Sequence, residues 1–371
     1  MNEILLNGLI YEKNGAGISR YAYQLMKTFI EKDYPVDLLT REELDGKQMH
    51  CKVQRVNREI TSSSQRIIEE QIRQLTRYKS YKLVHFPDYA SPVFYRGLKV
   101  ATIHDMAMKT MTDKYTTMQN LTKNTLLAAT IRGADRLICD SEFTRRELLH
   151  YYPQVEEKVE VIYLGIELPK YIRNKDFEEE TLKRFAVKTP FILYVGTIAP
   201  HKNIEKLIEA FNEVQKKVQK KQDYQLVIAG KKGWMYEKVF EKVKEEGLEK
   251  KVIFTDFVSD RQLEVLYHRA AFFTSVSLYE GFGFPPLEAM GRACPVLVSD
   301  IEVFKEMCGD AALYCNPKNK EDIVRKMLEM IKETEEEARR KEWIAKGNQQ
   351  VRRFSWEDTA SKVYGVYERL L

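Results

Sequence analysis

One stretch of the sequence, residues 270–299, constrains the fold more than any other. Its first part, Ala270–Val276, is rich in apolar and aromatic residues and has the length of a strand. A loop with two glycines follows, and Pro285-Pro286 then fits the first turn of a helix, where a missing N–H costs nothing. Pro295–Ser299 is typical of a strand. A strand, a glycine loop, a short helix and a strand in this order predict one βα repeat of a parallel sheet.

The loop within this stretch suits a phosphorylated ligand. Glycines such as Gly281 and Gly283 let the backbone approach a ligand closely, and the N-terminus of a helix attracts anions. Two carboxylates frame the loop, Glu280 before the glycines and Glu288 on the helix behind them. A carboxylate accepts two hydrogen bonds, so either glutamate can hold two neighbouring hydroxyls of a sugar or a ribose. The alternative is a tight strand-to-helix turn with two solvated glutamates.

The segment Glu280-Gly-Phe-Gly-Phe-Pro-Pro-Leu-Glu288 resembles the E-x7-E signature of the retaining nucleotide-sugar glycosyltransferases of family 4, which have the GT-B fold. The resemblance covers nearly the whole chain. It implies an α/β protein with two doubly wound, Rossmann-like domains that face a cleft, and a C-terminal helix that crosses back to the first domain. Residues 1–168 with 355–371 would bind the acceptor, and residues 190–350 would bind the donor.

Length and composition agree with two soluble domains. A chain of 371 residues is too long for one ordinary core. Its 44% apolar and 31% charged residues are typical of a globular protein, and a net charge of +5 is too small to predict nucleic-acid binding. No apolar run approaches the roughly 20 residues of a membrane span, and the N-terminus does not resemble a signal peptide. The five cysteines form no C-x-x-C pair, so we expect no zinc site or disulfide framework, and a cytoplasmic location.

A second glycine loop lies between the predicted strand Ile4–Leu6 and a helix with apolar residues spaced by four. Like the first loop, it leads into a helix N-terminus. A plain turn is the alternative. In the family that the chain resembles, a glycine pair at this place lines the cleft near the donor phosphates and the acceptor. Here the pair is Ala16 and Gly17, so we expect close backbone approach to the donor at Gly17, and we assign Ala16 to the acceptor side.

Polar residues at the ends of predicted strands indicate a site in the first half. His104 and Asp105 follow a buried strand, and the carboxyl edge of a sheet is where α/β proteins bind ligands. The resemblance implies that His104 lies beside the donor sugar and stabilises the transition state. We assign His85, Asp105 and Arg145 to the acceptor side. The alternatives are structural histidines and a solvated helix arginine.

The predicted second half opens with the strand Phe191–Gly196, and Lys202 lies at the start of the helix that follows. A lysine there can neutralise phosphate as a point charge, and the resemblance implies this role for Lys202. Many family members have an arginine where this chain has Thr197, so one phosphate-binding cation is missing or is supplied by His201 or Arg145. The expected donor-binding residues are Gly17, Thr197, Lys202, Phe257, Val258, Glu280, Gly281, Phe282, Gly283, Phe284 and Glu288.

The sequence contains no D-x-D motif, so we expect the departing diphosphate to be stabilised by Lys202 and the amides of the glycine loop, without metal or cofactor. The resemblance implies transfer with retention of anomeric configuration. The acceptor hydroxyl attacks on the face from which the phosphate leaves, and the phosphate takes its proton. Glu280 would orient the sugar hydroxyls, and Glu288 would hold the ribose. His104, Lys202 and Glu280 are therefore the expected catalytic residues.

The leading interpretation is a hexosyltransferase of surface or capsular polysaccharide synthesis, with a glycan acceptor carried on a lipid. The donor would be GDP-mannose, dTDP-rhamnose or a UDP-sugar, because Gly196-Thr-Ile-Ala-Pro-His-Lys-Asn203 resembles a subgroup of mannosyl- and rhamnosyltransferases. The alternatives are a GT-B epimerase, a glycan phosphorylase, which would need a pyridoxal-binding lysine, or a non-catalytic nucleotide-sugar binding protein.

A basic span in the first half predicts reversible attachment to the inner face of the plasma membrane. Residues 47–99 hold eleven Lys or Arg and four acids, a net charge of +7 against +5 for the whole chain. Aromatic residues that could settle at the interface are Tyr78, Tyr81, Phe86, Tyr89, Phe94 and Tyr95. We also predict an amphipathic helix over 61–80, with Ile67, Ile68, Ile72 and Leu75 on one face. The alternative is an ordinary solvated surface with buried aromatics.

Overall fold

The computed structural model describes residues 3–371 except 14, 16, 45–49, 57–59, 61, 74, 112–116, 169–170 and 219–221. Ala16, and Lys47 and Arg58 of the basic span, therefore lie outside the described residues. The chain divides into two compact units: unit 1 is Met1–Gly165 with Phe354–Leu371, and unit 2 is Ile166–Arg353. Each unit contains one parallel sheet with helices, so the predicted α/β class is confirmed.

The sheet of unit 1 has seven strands within the described part of the chain. They are β1 (Ile4–Asn7), β2 (Val36–Thr40), β3 (Val53–Arg55), β4 (Leu83–Phe86), β5 (Leu98–Ile103), β6 (Arg136–Cys139) and β7 (Val159–Val161). Their order is β3-β2-β1-β4-β5-β6-β7, and every pair is parallel. The chain changes direction across the sheet between β1 and β4, and this switch point is where doubly wound sheets bind ligands.

The helices that precede the second unit are α1 (Ile18–Glu31), α2 (Ser63–Arg73), α3 (Ala107–Thr110), α4 (Thr117–Gly133) and α5 (Glu142–Tyr151). As the spacing predicts, α1 turns Tyr21, Leu25 and Phe29 into the core. The strands β1, β2 and β4 are buried along their whole length because helices cover both faces of a parallel sheet.

Helix α2 corrects the prediction for residues 61–80. It is shorter, and its apolar face points outward: Ile68, Ile72 and Leu75 are 58%, 48% and 64% exposed. The buried face instead carries Arg66, whose guanidinium lies 2.9 Å from Glu70 and 2.5 Å from Asp88. Both carboxylates are buried as well. Buried charges need partners, and Glu70 and Asp88 supply them on this side of α2, which explains the orientation.

Several residues of the predicted membrane surface also lie in the interior. Tyr78, Tyr81 and Phe86 are buried and so are unable to reach a bilayer. Arg66 is held by its two carboxylates, and the buried Lys99 ammonium donates to the Pro92 carbonyl at 2.8 Å. The basic span therefore contributes less exposed charge than its composition predicts.

The sheet of unit 2 has six strands: β8 (Phe191–Val195), β9 (Gln225–Ala229), β10 (Val252–Asp256), β11 (Phe272–Ser275), β12 (Val296–Ser299) and β13 (Leu313–Cys315). Their order within the described residues is β10-β9-β8-β11-β12-β13, again all parallel. The switch point lies between β8 and β11, the two strands that precede Lys202 and Glu280.

The helices of unit 2 are α6 (Lys175–Arg184), α7 (Ile204–Val218), α8 (Glu237–Glu245), α9 (Asp260–Arg269), α10 (Phe284–Gly291), α11 (Glu302–Cys308), α12 (Lys320–Glu335) and α13 (Glu337–Val351). Helix α6 lies inside the charged stretch 168–189. The Asn174 side chain caps it by accepting from the Phe177 amide at 3.0 Å. The Glu178 carboxylate is buried and accepts from Arg269 at 2.8 Å. These partners explain how a charged segment packs as a helix.

The last helix, α14 (Trp356–Glu368), belongs to unit 1, which confirms the predicted return of the C-terminal helix. Ser355 is its N-cap, with Oγ accepting from the Glu357 amide at 3.2 Å. The Tyr364 ring packs against Tyr34 with centroids 4.8 Å apart, and the Lys32 ammonium lies 2.8 Å from the Glu357 carboxylate.

The cysteines Cys51, Cys139, Cys294, Cys308 and Cys315 are all buried and free. Burial raises the pKa of the Cys294 thiol to about 12, so this thiol is unreactive at neutral pH. Of the helices that the structure describes, none combines the length and the apolar character needed to cross a bilayer.

Candidate active site

The two loops at the switch point of unit 2 bring Lys202 and Glu280 together. Lys202 lies in a short 3₁₀ turn after β8, and Glu280 lies in the loop after β11. The Lys202 ammonium lies 2.6 Å from Oε1 and 2.7 Å from Oε2 of Glu280. Their side chains are only 16% and 14% exposed. The lysine predicted to bind phosphate and the glutamate predicted to bind sugar thus form an ion pair in the ligand-free protein.

Other hydrogen bonds fasten these two loops to each other. Asn203 adopts a left-handed conformation, with φ of 57°, which asparagine tolerates better than most residues. Its side-chain amide donates to the Val276 carbonyl at 3.1 Å and to the Pro317 carbonyl at 2.8 Å. Ser277 Oγ donates to Glu280 Oε1 at 2.8 Å. The ion pair is therefore held in place from both loops.

The glycine loop has the predicted form. Gly283 is the N-cap residue of α10 with φ of 95°, a conformation that disfavours other residues. A Cβ there would also come within 2.8 Å of the Phe304 ring. Pro285 and Pro286 occupy the first turn and carry no N–H, so the amides at this end of the helix are those of residues 281–284.

Glu288 points into the protein from α10. Its carboxylate is buried and accepts a hydrogen bond from the Tyr267 hydroxyl at 3.2 Å. The Arg292 side chain donates to the Glu288 carbonyl at 3.1 Å and contacts Glu264 at 2.6 Å. The structure therefore does not support the alternative of two solvated glutamates, because both Glu280 and Glu288 are largely buried.

The ends of β8 and β9 also approach each other closely. A Cβ on Gly230 would lie 2.1 Å from the Gly196 carbonyl oxygen, so only glycine fits there. Thr197 is exposed directly after Gly196, and Val258, beyond β10, is half-buried. The neighbouring Phe257 exposes its ring, and the Lys231 ammonium lies 5.5 Å from the ring centroid. The assignment of these residues to the donor stays a prediction.

In unit 1, His104 follows β5 and contacts residues from three other segments. Its Nδ1 lies 2.5 Å from Oδ2 of Asp140, which follows β6, and its Nε2 lies 3.1 Å from the Pro87 carbonyl oxygen. The Tyr21 ring meets the imidazole edge to face, with centroids 4.9 Å apart. Thr144 Oγ1 donates to the His104 carbonyl at 3.2 Å.

The electrostatic environment of His104 favours its charged form. Burial on its own lowers the pKa of the imidazolium. The charge of Asp140, its hydrogen bond to Nδ1 and the Pro87 carbonyl outweigh burial, and together they raise the pKa from 6.5 to about 9. His104 is therefore protonated at neutral pH.

His85 is assigned to the acceptor side, and this assignment stays a prediction. It lies within β4 and is completely buried. Nδ1 lies 2.6 Å from the Tyr367 hydroxyl and Nε2 lies 2.8 Å from Thr102 Oγ1. Burial, and then the charge of His104, lower the pKa of His85 to about 3, so it is neutral. In the ligand-free protein it joins α14 to the sheet.

The remaining residues assigned to the first half have local roles. Gly17 caps α1 with φ of 55°, and the space around its Cβ position is open. Asp105 Oδ1 accepts from the Ala107 amide at 2.9 Å. Arg145 lies 3.6 Å from Glu142 of the same helix and 3.4 Å from Glu156 beyond its end, and its assignment to the acceptor side stays a prediction. Ala16 lies outside the described residues.

Sequence reasoning missed four residues whose hydrogen bonds hold predicted site residues or their loops in place: Asn203, Tyr267, Ser277 and Asp140. Asp140 had a usable signal, because it follows a strand just as His104 does. Ile103 of β5 and Cys139 of β6 are paired in register, so the residues that follow them, His104 and Asp140, lie side by side at the sheet edge. The other three depend on tertiary contacts without a sequence pattern.

Comparison with known families matches both halves of the chain. Residues 176–350 match the family model "Glycosyl transferases group 1", and residues 15–170 match "Glycosyltransferase Family 4". The two matches fall on unit 2 and unit 1, respectively, apart from a few residues at their ends.

Individual relatives and structures agree with these matches. The chain is 26% identical to O-antigen chain mannosyltransferase B of Escherichia coli over 80% of this chain and 76% of the relative. It is 29% identical to O-antigen chain mannosyltransferase RfbU of Salmonella typhimurium, over 66% and 64%, respectively. Its fold is similar to that of sucrose-phosphate synthase from Thermosynechococcus elongatus, with a TM-score of 0.78, 19% identity and coverage of 100% of this chain and 99% of that one.

Proposed function

The chain belongs to glycosyltransferase family 4 and has the GT-B fold, and on that premise we propose that it transfers a mannosyl residue from a nucleotide sugar to a glycan. The observation that carries this proposal is the Lys202–Glu280 pair at the switch point of unit 2, with Glu288 on the adjoining helix. We further propose that transfer retains the anomeric configuration and needs no metal ion.

The ion pair suggests how a donor would bind. A diphosphate attracts the Lys202 ammonium, and the Glu280 carboxylate then loses its cation in a largely buried place. A carboxylate without a partner there is costly, unless it accepts hydrogen bonds from hydroxyls of the sugar. Only a ligand with both a diphosphate and a sugar satisfies both groups at once. The pair therefore favours a complete nucleotide sugar over either half.

The departing diphosphate needs stabilisation while the glycosidic bond breaks. Lys202 and the amides of residues 281–284 are the groups proposed to supply it, because preorganised donors aimed at developing charge lower the barrier most. Glu280 orients the sugar hydroxyls and Glu288, held by Tyr267, accepts from the ribose hydroxyls. The acceptor hydroxyl attacks on the side of the leaving phosphate, which takes the proton.

The substrate class rests on the relatives. Two of them are named as mannosyltransferases of O-antigen chains, which supports a mannosyl donor and a polysaccharide acceptor. The test is a thermal-shift panel of GDP-mannose, dTDP-rhamnose and UDP-sugars, followed by transfer assays with the best ligand. We expect GDP-mannose to give the largest shift and turnover. Transfer from another nucleotide sugar alone would contradict the mannosyl assignment, and turnover of none would contradict the enzyme assignment.

We also propose that unit 1 reaches a lipid-linked acceptor by docking on an anionic membrane surface through the outward face of α2. Phe94 is 79% exposed, and its neighbour Val93 is tied to α2 because the Val93 amide donates to Gln71 Oε1 at 3.1 Å. With Ile68 and Ile72 these side chains form an exposed apolar face, which we call the α2 face.

The charges around the α2 face complement an anionic surface. Between residues 62 and 98 the acids are Glu69, Glu70 and Asp88, and all three are buried. The basic side chains of the same span that remain exposed are those of Arg77, Lys79, Lys82 and Arg96, of which Lys82 lies 2.5 Å from the Glu3 carboxylate. Each basic residue near an anionic surface contributes about 1 kcal/mol, so this arrangement supports weak, salt-sensitive binding.

A further inference from the structure

The contacts of His104 carry an inference that rests on the proposed function and deepens it. We infer that Asp140 is a positioning residue for sugar transfer: it fixes the His104 imidazolium so that Nε2–H, which donates to the Pro87 carbonyl in the ligand-free protein, can also donate to a substrate oxygen, and so that His104 does not act as a base. Sequence reasoning singled out His104 for the transition state but assigned no partner to it.

The hydrogen-bond partners determine the protonation of the ring. The Pro87 carbonyl oxygen, 3.1 Å from Nε2, only accepts, so Nε2 must carry a proton. At Nδ1, 2.5 Å from Asp140 Oδ2, one more proton is shared within the pair. In the ligand-free protein, Nε2 is therefore a hydrogen-bond donor, and Nδ1 shares a proton with Asp140. Neither is available to take a proton from an acceptor hydroxyl.

The position of Asp140 makes it suited to orient the ring. It follows β6 directly beside His104 at the carboxyl edge of the sheet, where Ile103 and Cys139 are register partners. Its side chain is buried, and Oδ1 has no hydrogen-bond partner among the described atoms. The principal interaction of the Asp140 carboxylate is therefore its hydrogen bond with the His104 imidazole. A buried charge with one partner holds that partner firmly.

The other groups that face His104 do not replace Asp140. Asp88 is committed to Arg66, and Asp105 accepts from the Ala107 amide. Tyr21 contributes the edge of its ring, and the buried His85 is neutral. Thr144 contacts only the backbone carbonyl of His104. Asp140 is thus the carboxylate that hydrogen-bonds the imidazole.

This arrangement predicts a pH dependence on the alkaline side. With the pKa of His104 raised to about 9, the imidazolium is present below that value. Its contribution to stability is complete below pH 6.5 and is lost as the pH rises through about 9. The kcat for transfer should fall over the same range, because an imidazolium is a stronger hydrogen-bond donor than a neutral imidazole.

The substitution Asp140→Asn removes the negative charge beside His104 and keeps the size of the side chain. The amide still fits and can donate to Nδ1, which keeps the proton on Nε2. The two largest effects that oppose burial, the charge of Asp140 and its hydrogen bond, are then lost, and only the Pro87 carbonyl and the charge of Asp88 still raise the pKa of His104. We expect this pKa to fall below 6.5. We expect kcat at pH 8 to fall about 10- to 100-fold, the range for removal of a group that orients a catalytic one, with little change in KM for the donor.

The experiment is an NMR pH titration of the full chain with ¹⁵N-labelled histidine, in which His104→Gln identifies the His104 signals. In the wild type, both ring nitrogens of His104 should be protonated at pH 7 and titrate near 9. In Asp140→Asn they should titrate below 6.5. The control is Asp135→Asn, which removes a carboxylate that accepts from the Lys99 amide at the other end of β6 and should leave His104 unchanged.

The outcomes are distinct. A wild-type His104 that titrates near or below 6.5, or that titrates unchanged in Asp140→Asn, overturns the inference. The predicted titrations together with an unchanged kcat in Asp140→Asn overturn the positioning role. Absence of sugar transfer by the wild type overturns the proposed function instead, whatever the titrations show. A single cooperative unfolding transition and backbone amide signals that are unchanged away from β5 and β6 establish that Asp140→Asn is folded.

Discussion

The two units place their paired charges differently. In unit 2, Lys202 and Glu280 pair at the carboxyl edge of the sheet, between two loops and partly exposed. In unit 1, Arg66 on the buried face of α2 pairs with Glu70 of the same helix and with the buried Asp88. A ligand can replace one partner of the first pair, whereas nothing reaches the second. The comparison teaches that position relative to the sheet edge, more than charge itself, separates a pair that serves binding from one that serves structure.

Removal of Arg66 should have the largest effect. Arg66→Ala leaves Glu70 and Asp88 buried without their cation, and breaking such a pair costs about 3–5 kcal/mol. We expect the unfolding transition of unit 1 to move to markedly lower temperature in calorimetry. The matched control is Arg55→Ala, which removes an exposed pair with Glu43 and should cost about 1 kcal/mol or less. Equal losses in the two variants would contradict the structural role of the buried pair.

Removal of Lys202 should affect turnover and leave stability nearly intact. Lys202→Ala removes the proposed phosphate cation, and we expect kcat to fall about 10²- to 10³-fold, as for other stabilisers of developing charge. Steady-state kinetics with the best donor measure this. Lys206→Ala is the control, because Lys206 lies on α7 and donates to the Lys318 carbonyl, away from Glu280. A folded Lys202→Ala variant with wild-type kcat would remove the lysine from the mechanism.

The two glutamates of unit 2 should differ when only the nucleotide is present. Glu288→Gln changes the proposed ribose contact and should weaken binding of the free nucleoside diphosphate by about 1–3 kcal/mol, roughly 5- to 150-fold. Glu280→Gln should weaken it less, because Glu280 is assigned to the sugar. Isothermal titration calorimetry separates the two. Equal losses would refute the assignment.

The α2 face should give the smallest effect. Wild-type protein should float with vesicles that contain anionic lipid at low salt and dissociate at high salt. We expect Phe94→Ser with Ile72→Ser to reduce the bound fraction several-fold, since each removes exposed apolar area. Leu371→Ser, at another exposed leucine of unit 1, is the control. Wild-type protein that fails to float at low salt would indicate a soluble acceptor.

The carboxyl-edge loops could be predicted because their chemistry is local. Glycines, prolines and the spacing of Glu280 and Glu288 depend on neighbours in the sequence, and the structure has the strand, loop and helix in the predicted order. The parallel, doubly wound form of both sheets follows from alternating strands and helices.

Helix α2 could not be predicted in the same way. Its apolar residues follow a helical period, but the period does not say which face is buried. That choice depends on Asn7 and Asp88, which are distant in sequence and meet Glu70 and Arg66 only in the folded unit. His85 is a similar case, because its partner Tyr367 arrives from the other end of the chain. Buried polar partners are the information that a single sequence lacks.

The most direct test of the central claim is an NMR time course of sugar transfer from GDP-α-mannose to a glycan acceptor, run in excess EDTA. The anomeric signal of the first product reports the stereochemistry before any later exchange. We expect an α-linked mannosyl product at the rate seen without EDTA. A β-linked product would contradict retention, and loss of turnover that Mg²⁺ or Mn²⁺ restores would contradict stabilisation of the diphosphate by Lys202 and the loop amides alone.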